Sequence, residues 1–461
     1  MFSFPEAAAL AEAELRLADP SFLISGASID TRTLQKGNLF IALQGTQEDG
    51  HRYLAEAFSK GASGALIGKA YFERNRETLA VCRNLLLAHD PFAALTALAK
   101  AYRSRFDIPV AGITGSVGKT STKEFLHFIL SQSRNVLATR GNFNNHLGLP
   151  LTLLGLKESH QACVAELGAN HPGEIRDLAA ILKPGHAIIT CVAPVHLSGF
   201  GSLEGIYKEK LELFESLLPD STAVIPDDEV VLFARARGMG LRAVRVGQSP
   251  LADYRIANAR VLDAWVHFTV NGRKYAFPGI AKFLVRNAAM AVALAEAMGT
   301  ESSEIPEIWE NFKLPSGRFQ SRLLDNGVAL IDDGYNASPA SFKAALEVFS
   351  GLPTAGRRVL VFADMLELGS EEIRYHEELG ERIAGSNLDL VLAYGPLAGC
   401  SIEKIHDLNP SLEAYHFGGT GETADFLRSR LQKGDRLLLK ASRGMKIEDV
   451  IHSLGADLIP I

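Results

Sequence analysis

Cysteine is scarce in this chain, and the four cysteines show no pattern. Cys82, Cys163, Cys191 and Cys400 are widely separated and lack metal-ligand spacing. A zinc finger or a disulfide framework needs cysteines in recognisable, repeated spacings. We therefore expect reduced thiols and a reducing compartment.

Long apolar runs are also missing. No hydrophobic stretch reaches the ~20 residues that a membrane-spanning helix requires, so we expect no membrane span. The first residues, MFSFPEAAALAEAELRL, favour an amphipathic helix over residues 1–17 with acidic side chains. They lack the basic start and apolar core of a secretion signal, which favours a cytoplasmic location.

The chain has no excess of positive charge. It carries 47 Lys and Arg residues against 53 Asp and Glu residues, a net charge of -6. Broad nucleic-acid binding needs clustered basic residues, so we expect no nucleic-acid partner. A small anionic ligand is compatible with this balance, because a phosphate site is local and consists largely of backbone N–H groups.

A length of 461 residues exceeds one ordinary core and predicts about three domains. We place them at residues 1–106, 107–313 and 314–461. The first mixes short strands with helices. The second and third alternate apolar strands with helices, and a Pro- and Gly-rich segment, KLPSGR (313–318), separates them. This alternation predicts an α/β protein.

Short apolar runs bounded by Gly, Pro or polar residues are typical of parallel strands covered on both faces. The second segment contains VAGIT (110–114), ACVAEL (162–167) and HAIITCV (186–192). The third contains VALID (328–332), RVLVFA (358–363), DLVLAY (389–394) and RLLLKA (436–441). Residues 253–277 favour antiparallel strands around an Asn271-Gly272 turn. Helices are expected at 91–106, 122–130 and 283–298.

The strongest single motif lies at residues 114–121, between a predicted strand and a predicted helix. Its members are Thr114, Gly115, Ser116, Val117, Gly118, Lys119, Thr120 and Ser121. The glycines let backbone N–H groups point at phosphate oxygens, while Lys119 pairs with the terminal phosphates and Thr120 can bind Mg²⁺. A strict Walker A loop has Gly in place of Ile113. The alternative is a Gly-rich turn with an incidental lysine, and the flanking strand and helix favour the phosphate loop.

Two polar residues follow the next two predicted strands. Ligands of open α/β sheets bind at the carboxyl ends of strands, where the sequence places Glu166 and His196. A carboxylate and an imidazole near a triphosphate favour metal binding, although each alone is compatible with a structural hydrogen bond. Lys210 follows on a predicted helix, and chemistry alone favours a solvated surface lysine there.

These motifs resemble the Mur ligase family over nearly the whole chain. The segments that carry the resemblance are DTRTLQKGNLFIALQGTQEDGH (30–51), TGSVGKTSTKE (114–124), GNFNNHLGLPLTLL (141–154), ELGANHPGEI (166–175), HLSGFGSLEGIYKEK (196–210), DDGYNASPASF (332–342), DMLELG (364–369) and KASRGMKIEDV (440–450). The resemblance implies a small mixed α/β domain for the UDP-sugar-peptide, a central P-loop ATPase-like α/β domain and a C-terminal Rossmann-like α/β domain that closes over the nucleotide.

The resemblance also implies an activity. It is the ATP-driven addition of D-alanyl-D-alanine to the carboxylate of UDP-N-acetylmuramoyl-tripeptide, through an acyl phosphate, in peptidoglycan precursor synthesis. ATP and Mg²⁺ are the implied cofactors. Lys119, Thr120 and Glu166 match the ATP phosphate and first Mg²⁺ site, and His196 matches a ligand of the second. Lys210 matches a lysine that is carbamylated in related ligases, which would turn a cation into an oxygen donor.

Further residues receive roles only through this resemblance. Asn145 and Asn287 match contacts to the adenine. Arg318 and Asp333 match residues of the closing domain that reach the phosphates and ribose. Asp30, Thr31 and Arg32 lie in the segment that resembles the uridine-binding edge. The chain departs from the family at Phe283, where a histidine is common, and also at Ser316 and Ala363.

Two other functions stay open at this point. One is another amide ligase of the same superfamily, which adds an amino acid to a muramoyl peptide or glutamate to folate. The other is a phosphate-loop ATPase or kinase that acts as a switch or motor, without amide formation. The acidic, His and Lys set after the loop weighs against the second. We expect a monomer, because no segment suggests an extended interface.

Overall fold

Strands and helices alternate along the chain, as the sequence predicts for an α/β protein. This computed structural model describes residues 1–16, 19, 22–45, 48–79, 82 and 84–455. The chain divides into two units. The first comprises Met1–Gly112, Ser133–Ala169 and Gly173–His186, and the second comprises Ile113–Gln132, Asn170–Pro172 and Ala187–Ile461.

The first unit contains a five-stranded sheet near the N-terminus. Its strands lie in the order Glu14–Arg16, Leu85–Ala88, Gly64–Gly68, Asn38–Ile41 and Gly26–Ser28. The last four are parallel, and Glu14–Arg16 runs antiparallel to its neighbour. Flanking helices are Leu54–Ser59, Lys69–Arg74, Arg76–Leu79 and Pro91–Arg103. The parallel strands therefore present their carboxyl ends, and the loops after them, at one edge.

The N-terminal helix is shorter than predicted. It spans Phe4–Leu10, begins at an N-cap Ser3 that accepts a hydrogen bond from Glu6 N–H, and has proline in its first turn. Glu12 then adopts a left-handed backbone, φ 49°. A residue in that conformation cannot continue a right-handed helix. The expected helix over residues 1–17 is wrong at Phe2–Ser3, which form a strand, and beyond Ala11, where Glu14–Arg16 form another strand. Leu17 lies outside the described residues.

The rest of the first unit holds further strands and helices. The strand Val136–Ala138 pairs in parallel with Ala162–Glu166, which is buried along its whole length. The helices here are Gly148–Leu153 and Glu174–Leu182. Burial on both faces explains the unbroken apolar run before Glu166.

The second unit includes the predicted hairpin. Tyr254–Leu262, Trp265–Val270 and Arg273–Pro278 are antiparallel neighbours. Asn271 and Gly272 both have positive φ, 49° and 84°, which is typical of a type I′ turn. The strands Thr222–Pro226 and Arg242–Gly247 are parallel to each other, and Arg242–Gly247 pairs in parallel with Tyr254–Leu262. The helices of this part are Lys119–Leu130, Leu197–Phe200, Leu203–Glu215, Val230–Gly238 and Val285–Ala297.

The helix after the phosphate loop is fixed by an aromatic cluster. Phe125 contacts Phe277, Trp309 and Phe312, with ring centroids 5.0, 5.5 and 4.3 Å away. All four side chains are buried. Aromatic pairs at such distances add to the stabilisation from burial, so the middle of the helix Lys119–Leu130 is held firmly.

The C-terminal part of the second unit is a six-stranded sheet. Its strands lie in the order Gln320–Leu323, Ala329–Asp332, Arg436–Lys440, Arg358–Ala363, Leu390–Tyr394 and Glu413–Phe417. All are parallel except the first. The helices are Pro339–Gly351, Glu372–Ala384, Ala398–Leu408, Thr420–Arg430 and Glu448–Ser453. This αβα arrangement confirms the four strands predicted for the segment and adds two at the edges.

Short 3₁₀ helices occupy Gly50–Tyr53, Lys282–Leu284, Ser302–Glu304, Gly369–Glu371 and Arg443–Met445. Within the described part of the chain, no helix combines the length and apolar character needed to cross a bilayer.

Candidate active site

The phosphate loop joins the strand Val110–Thr114 to the helix Lys119–Leu130, as predicted. Both of its glycines have positive φ, 141° at Gly115 and 91° at Gly118. A Cβ would lie 2.0 Å from Thr190 Oγ1 at Gly115 and 2.3 Å from Asn287 Nδ2 at Gly118. Both positions therefore need glycine, for backbone conformation and for space.

The loop is held from outside by residues 190–193. Thr190 Oγ1 donates a hydrogen bond to the Val117 carbonyl at 2.6 Å. Ser116 Oγ donates to the Ala193 carbonyl at 2.8 Å and accepts from Ala193 N–H at 2.9 Å. A loop fixed in this way keeps its shape without a ligand, so its N–H groups are preorganised for an anion.

Lys119 turns back over the loop. Its Nζ donates to the Gly115 carbonyl at 2.6 Å and to the Ser116 carbonyl at 3.3 Å. This places an ammonium group beside the backbone that the phosphate motif uses. An ammonium group in this position can pair with the phosphates of a nucleotide bound at the loop.

Arg318 reaches the same loop from a distant part of the chain. Its Nη2 donates to Thr120 Oγ1 at 3.2 Å, and its guanidinium lies 4.0 Å from the centre of the Tyr335 ring. Its Nε is buried and has no hydrogen-bond partner among the described residues. An unsatisfied guanidinium donor beside a phosphate loop fits an anionic ligand.

The two asparagines matched to adenine contacts have different surroundings. Asn287 Nδ2 donates to Thr122 Oγ1 at 2.8 Å and to the Gly118 carbonyl at 3.3 Å, so it lies against the phosphate loop. Asn145 Oδ1 accepts from the N–H groups of Leu147 and Gly148 at 3.2 and 2.9 Å and caps a helix in the first unit.

Glu166 ends a buried strand and is itself only 2% exposed. Its Oε1 accepts from Asn144 Nδ2 at 2.7 Å. Its Oε2 is buried and has no hydrogen-bond partner among the described residues. Buried carboxylate oxygens are normally satisfied, so this orphaned oxygen fits a role as a cation ligand.

His196 pairs with a carboxylate that the sequence did not single out. Its backbone is left-handed, φ 49°, and its Nδ1 hydrogen-bonds to Glu367 Oε2. Burial lowers the pKa of His196, Glu367 raises it, and the charges of Lys119 and Lys210 lower it further. The two lysines therefore act electrostatically on the imidazole.

Lys210 is not the surface lysine that chemistry alone favoured. It is 1% exposed, on the buried face of the helix Leu203–Glu215, with its Nζ 5.3 Å from the centre of the Phe200 ring. Lys208, two residues earlier, is exposed. Lysines are rarely buried to this extent, so Lys210 is a candidate functional residue.

Asp333 lies in a buried ion pair. Its Oδ2 accepts from Lys440 Nζ at 2.6 Å, and Lys440 is 1% exposed. Burial raises the pKa of Asp333, and the charge of Lys440 opposes that rise. The pair joins the ends of two neighbouring strands, where ligands of parallel sheets bind.

The residues matched to the uridine edge lie after the strand Gly26–Ser28. Arg32 Nη2 donates to Asp30 Oδ2 at 2.7 Å, and this hydrogen bond lowers the pKa of Asp30. The Thr31 carbonyl accepts from Lys60 Nζ at 3.0 Å. A buried histidine, His51, lies at the carboxyl end of a parallel strand of the same sheet. Its Nε2 accepts a hydrogen bond from the N–H of Gly68, the last residue of the strand Gly64–Gly68, at 3.2 Å.

Two cavities lie within the second unit. The smaller, of about 240 Å³, is lined by His196 and by residues of three C-terminal segments: Tyr335, Asn336, Ala337, Ser338, Leu366, Glu367, Ser442 and Arg443. The larger, of about 1230 Å³, includes Phe283, Asp228 and Arg286 in its lining. Phe283 also packs edge-on against Phe319 at 5.2 Å, so it fills space as an aromatic residue there.

Among the residues that the structure describes, no three His, Cys, Asp or Glu side chains are grouped to hold a metal ion. The expected magnesium set differs in kind, because it includes the Thr120 hydroxyl and Lys210. Four residues now in evidence received no role from the sequence. Each lies in a segment that carries the family resemblance, and each contacts a residue that did receive a role. Asn144 contacts Glu166, Tyr335 contacts Arg318, Glu367 contacts His196 and Lys440 contacts Asp333.

Three family models match successive parts of the chain. They are "Mur ligase family, catalytic domain" at residues 23–103, "Mur ligase middle domain" at 113–295 and "Mur ligase, glutamate ligase domain" at 317–443. The matches cover most of the chain in the expected order.

Individual proteins match over almost the full length. The chain is 34% identical to UDP-N-acetylmuramoyl-tripeptide–D-alanyl-D-alanine ligase of Bacillus subtilis (strain 168), with 95% of each chain covered. Its fold is similar to the crystal structure of MurF from Acinetobacter baumannii, with a TM-score of 0.85, 28% identity and 98% of each chain covered. The MurF ligase from Thermotoga maritima in complex with ADP matches with a TM-score of 0.78 and 27% identity, over 94% of this chain and 98% of that one.

Proposed function

Since this chain belongs to the Mur ligase family, we propose that it joins D-alanyl-D-alanine to the terminal carboxylate of UDP-N-acetylmuramoyl-tripeptide and converts ATP to ADP and phosphate. The observation that carries the proposal is the phosphate loop, to which the side chains of Lys119 and Arg318 both donate hydrogen bonds. The relative from Bacillus subtilis, named for this reaction, matches over nearly its whole length.

The chain has N-terminal, middle and C-terminal Mur ligase domains. We propose boundaries at residues 1–106, 107–313 and 314–461. One family model falls within each of these ranges, and residues 313–319 lie outside the regular elements, which supports the second boundary.

ATP is the phosphoryl donor. The backbone N–H groups of the phosphate loop and the Lys119 ammonium hold the phosphates, and Asn287 lies beside the loop on the side of Gly118. Arg318 contributes a second positive charge, from a segment far along the chain. Two cations at the transferred group stabilise charge as it develops.

The proposed magnesium ligands are the Thr120 hydroxyl, Glu166, His196 and a carbamylated Lys210. The orphaned Glu166 Oε2 and the buried Lys210 support this set. When bound, Mg²⁺ supplies positive charge that neutralises the phosphates. Carbamylation would replace the Lys210 cation by oxygen donors, which removes a like charge from the site.

The reaction proceeds in two steps. A tripeptide carboxylate oxygen attacks the γ-phosphorus of ATP, ADP leaves, and the acid becomes an acyl phosphate. The amine of D-alanyl-D-alanine then attacks the acyl carbon, phosphate leaves with the original carboxylate oxygen, and the nitrogen loses a proton. Phosphate is a far better leaving group than hydroxide, which is why activation is needed. Water must be kept out, since it would hydrolyse the acyl phosphate.

The two remaining substrates also have candidate positions. The smaller cavity suits the dipeptide, because His196 and Arg443 line it and Arg443 can face a carboxylate. The loop of Asp30, Thr31 and Arg32 suits the uridine end of the acceptor, because it follows a parallel strand at the carboxyl edge of the sheet. We also propose that the protein acts in the cytoplasm, where ATP is available, and as a monomer.

A coupling assay tests the function. The protein is incubated with ATP, Mg²⁺, D-alanyl-D-alanine and the acceptor carrying either diaminopimelate or lysine, and ADP release and product mass are measured. We expect one amide product for each ADP, and no ADP release from Lys119→Ala. Release of ADP without amide would favour a phosphate-loop ATPase. A product formed only with glutamate or a single amino acid would favour another ligase.

A further inference from the structure

Glu367 makes a contact with His196 that no step above requires. Glu367 Oε2 and His196 Nδ1 are hydrogen-bonded, and Ser198 N–H donates to the Glu367 carbonyl at 3.4 Å. The paired side chains are 171 residues apart in sequence. The contact therefore joins residues 196–198, which follow the segment 190–193 beside the phosphate loop, to a loop of the C-terminal six-stranded sheet.

The loop that carries Glu367 is anchored at its base. Met365 N–H donates to the buried His376 Nε2 at 3.0 Å, and Leu366 N–H donates to Ser442 Oγ at 2.9 Å. Glu367 itself has a left-handed backbone, φ 65°, which a residue with a Cβ adopts only when its surroundings impose it. Its side chain is 53% exposed, so the loop presents this carboxylate rather than burying it.

His196 is constrained in a similar way. Its backbone has φ 49°, and its carbonyl accepts from the N–H groups of Gly199 and Phe200 at 2.9 and 3.1 Å. When Nδ1 of a neutral imidazole donates to a carboxylate, the lone pair of the ring lies on Nε2. Histidines that bind metals through one nitrogen usually donate the other N–H to a carboxylate or a carbonyl.

We propose that Glu367 is a positioning residue for His196: its carboxylate holds the Nδ1 proton and so directs Nε2 to the magnesium that accompanies the nucleotide. This inference rests on the proposed function. It adds that the imidazole is oriented only while the loop 364–369 is docked on residues 196–199. The C-terminal part of the chain would then control the metal site without binding the metal.

A binding titration without turnover tests the role. Binding of the non-hydrolysable analogue AMP-PNP is followed by calorimetry as Mg²⁺ is raised. Glu367→Ala should increase the Mg²⁺ concentration for half-maximal binding about tenfold, the lower end of the effect usual for partners of metal-bound histidines. Glu367→Gln should cause a smaller increase, because its amide oxygen still accepts from Nδ1. It also preserves side-chain volume if the alanine variant folds poorly.

Glu371→Gln is the matched control. It removes the same charge four residues away, from a glutamate paired with Arg374 at 2.7 Å, and should leave the titration unchanged. In a His196→Ala background, Glu367→Ala should have no further effect. An unchanged Mg²⁺ requirement in Glu367→Ala, or an equal increase with and without His196, would overturn the positioning role. Failure of the wild type to bind AMP-PNP would overturn the proposed function itself, and this inference with it.

Discussion

At the scale of single residues, the buried lysine is the least expected feature. Lys210 and Lys208 lie on the same helix, yet Lys210 is buried and Lys208 is exposed. A buried ammonium group costs stability, so a lysine kept at such a position is a candidate for function.

This contrast predicts that only the buried lysine matters for stability and activity. Lys210→Met keeps an unbranched chain of similar length but removes a buried charge from its surroundings, so its melting temperature should fall below that of the wild type. Its ligase activity should fall at least tenfold, as expected on loss of a metal-site group. Lys208→Met should change neither quantity. Measurements of Tm and ADP release decide the matter, and a fully active Lys210→Met would remove the lysine from the magnesium set.

The second residue-scale prediction concerns Gly118. Alanine there would combine a positive φ of 91° with a Cβ 2.3 Å from Asn287 Nδ2. The backbone strain alone costs about 1–2 kcal/mol, and displacement of Asn287 would disturb the loop further. Nucleotide affinity should fall by roughly tenfold or more, as calorimetry would show. Gly421→Ala, on a helix with open space around it, should leave affinity unchanged. Equal nucleotide affinities of the wild type and Gly118→Ala would mean that the shape of the loop does not govern binding.

At the scale of elements, buried strands were predictable and edge strands were not. Arg358–Ala363 and Leu390–Tyr394 are buried apolar runs, which periodicity detects. Gln320–Leu323 and Glu413–Phe417 lie at the two edges of the same sheet and are partly exposed. Their polar residues make them hard to recognise as strands, because the apolar pattern is weaker where one side of a strand faces water.

One buried aspartate ties neighbouring strands of this sheet together. Asp435 Oδ1 accepts from Arg357 N–H at 2.9 Å, and its Oδ2 accepts from Arg357 Nη2 at 2.7 Å and Gln432 N–H at 2.9 Å. Burial alone would raise the pKa of Asp435, but these hydrogen bonds lower it below its ordinary value. The folded state therefore favours the charged carboxylate.

The sign of the resulting pH dependence follows from that shift. The contribution of the charged Asp435 to the free energy of unfolding is present above the ordinary carboxyl pKa of about 4. It is lost as pH falls through the lower pKa that Asp435 has in the folded protein. Asp435→Asn should lower the free energy of unfolding by about 2 kcal/mol at pH 7, and by progressively less as pH falls toward 3. Urea denaturation across this range measures the difference. The exposed Asp425→Asn is the control, and a pH-independent loss would contradict the charge-based account.

At the scale of the whole molecule, the candidate site consists of segments that are distant in sequence. Thr120 and Arg318 are 198 residues apart, and Asp333 and Lys440 are 107 residues apart. The sequence predicts the phosphate loop because the motif is local, and the structure confirms the strand and helix on either side of it. Pairings such as that of His196 with Glu367 depend on which loops meet in the fold, and no local pattern carries that information.

Ligand binding should stabilise the folded chain. With AMP-PNP and Mg²⁺ at one hundred times the dissociation constant, the native state gains about 2.7 kcal/mol, so Tm should rise by several degrees. Lys119→Ala should lose most of this shift, measured against its own Tm without ligand, because the ammonium group that pairs with the phosphates is gone. A full shift in Lys119→Ala would contradict its role in phosphate binding.

The fate of the acceptor's carboxylate oxygen tests activation most directly. UDP-N-acetylmuramoyl-tripeptide labelled with ¹⁸O in its terminal carboxylate is incubated with ATP, D-alanyl-D-alanine and the protein, and the released phosphate is analysed by mass. Transfer of the γ-phosphoryl group to that carboxylate requires one ¹⁸O atom in each phosphate released during amide formation. Phosphate without the label would mean that water, not the acid, accepts the phosphoryl group, and the ligase mechanism would be wrong.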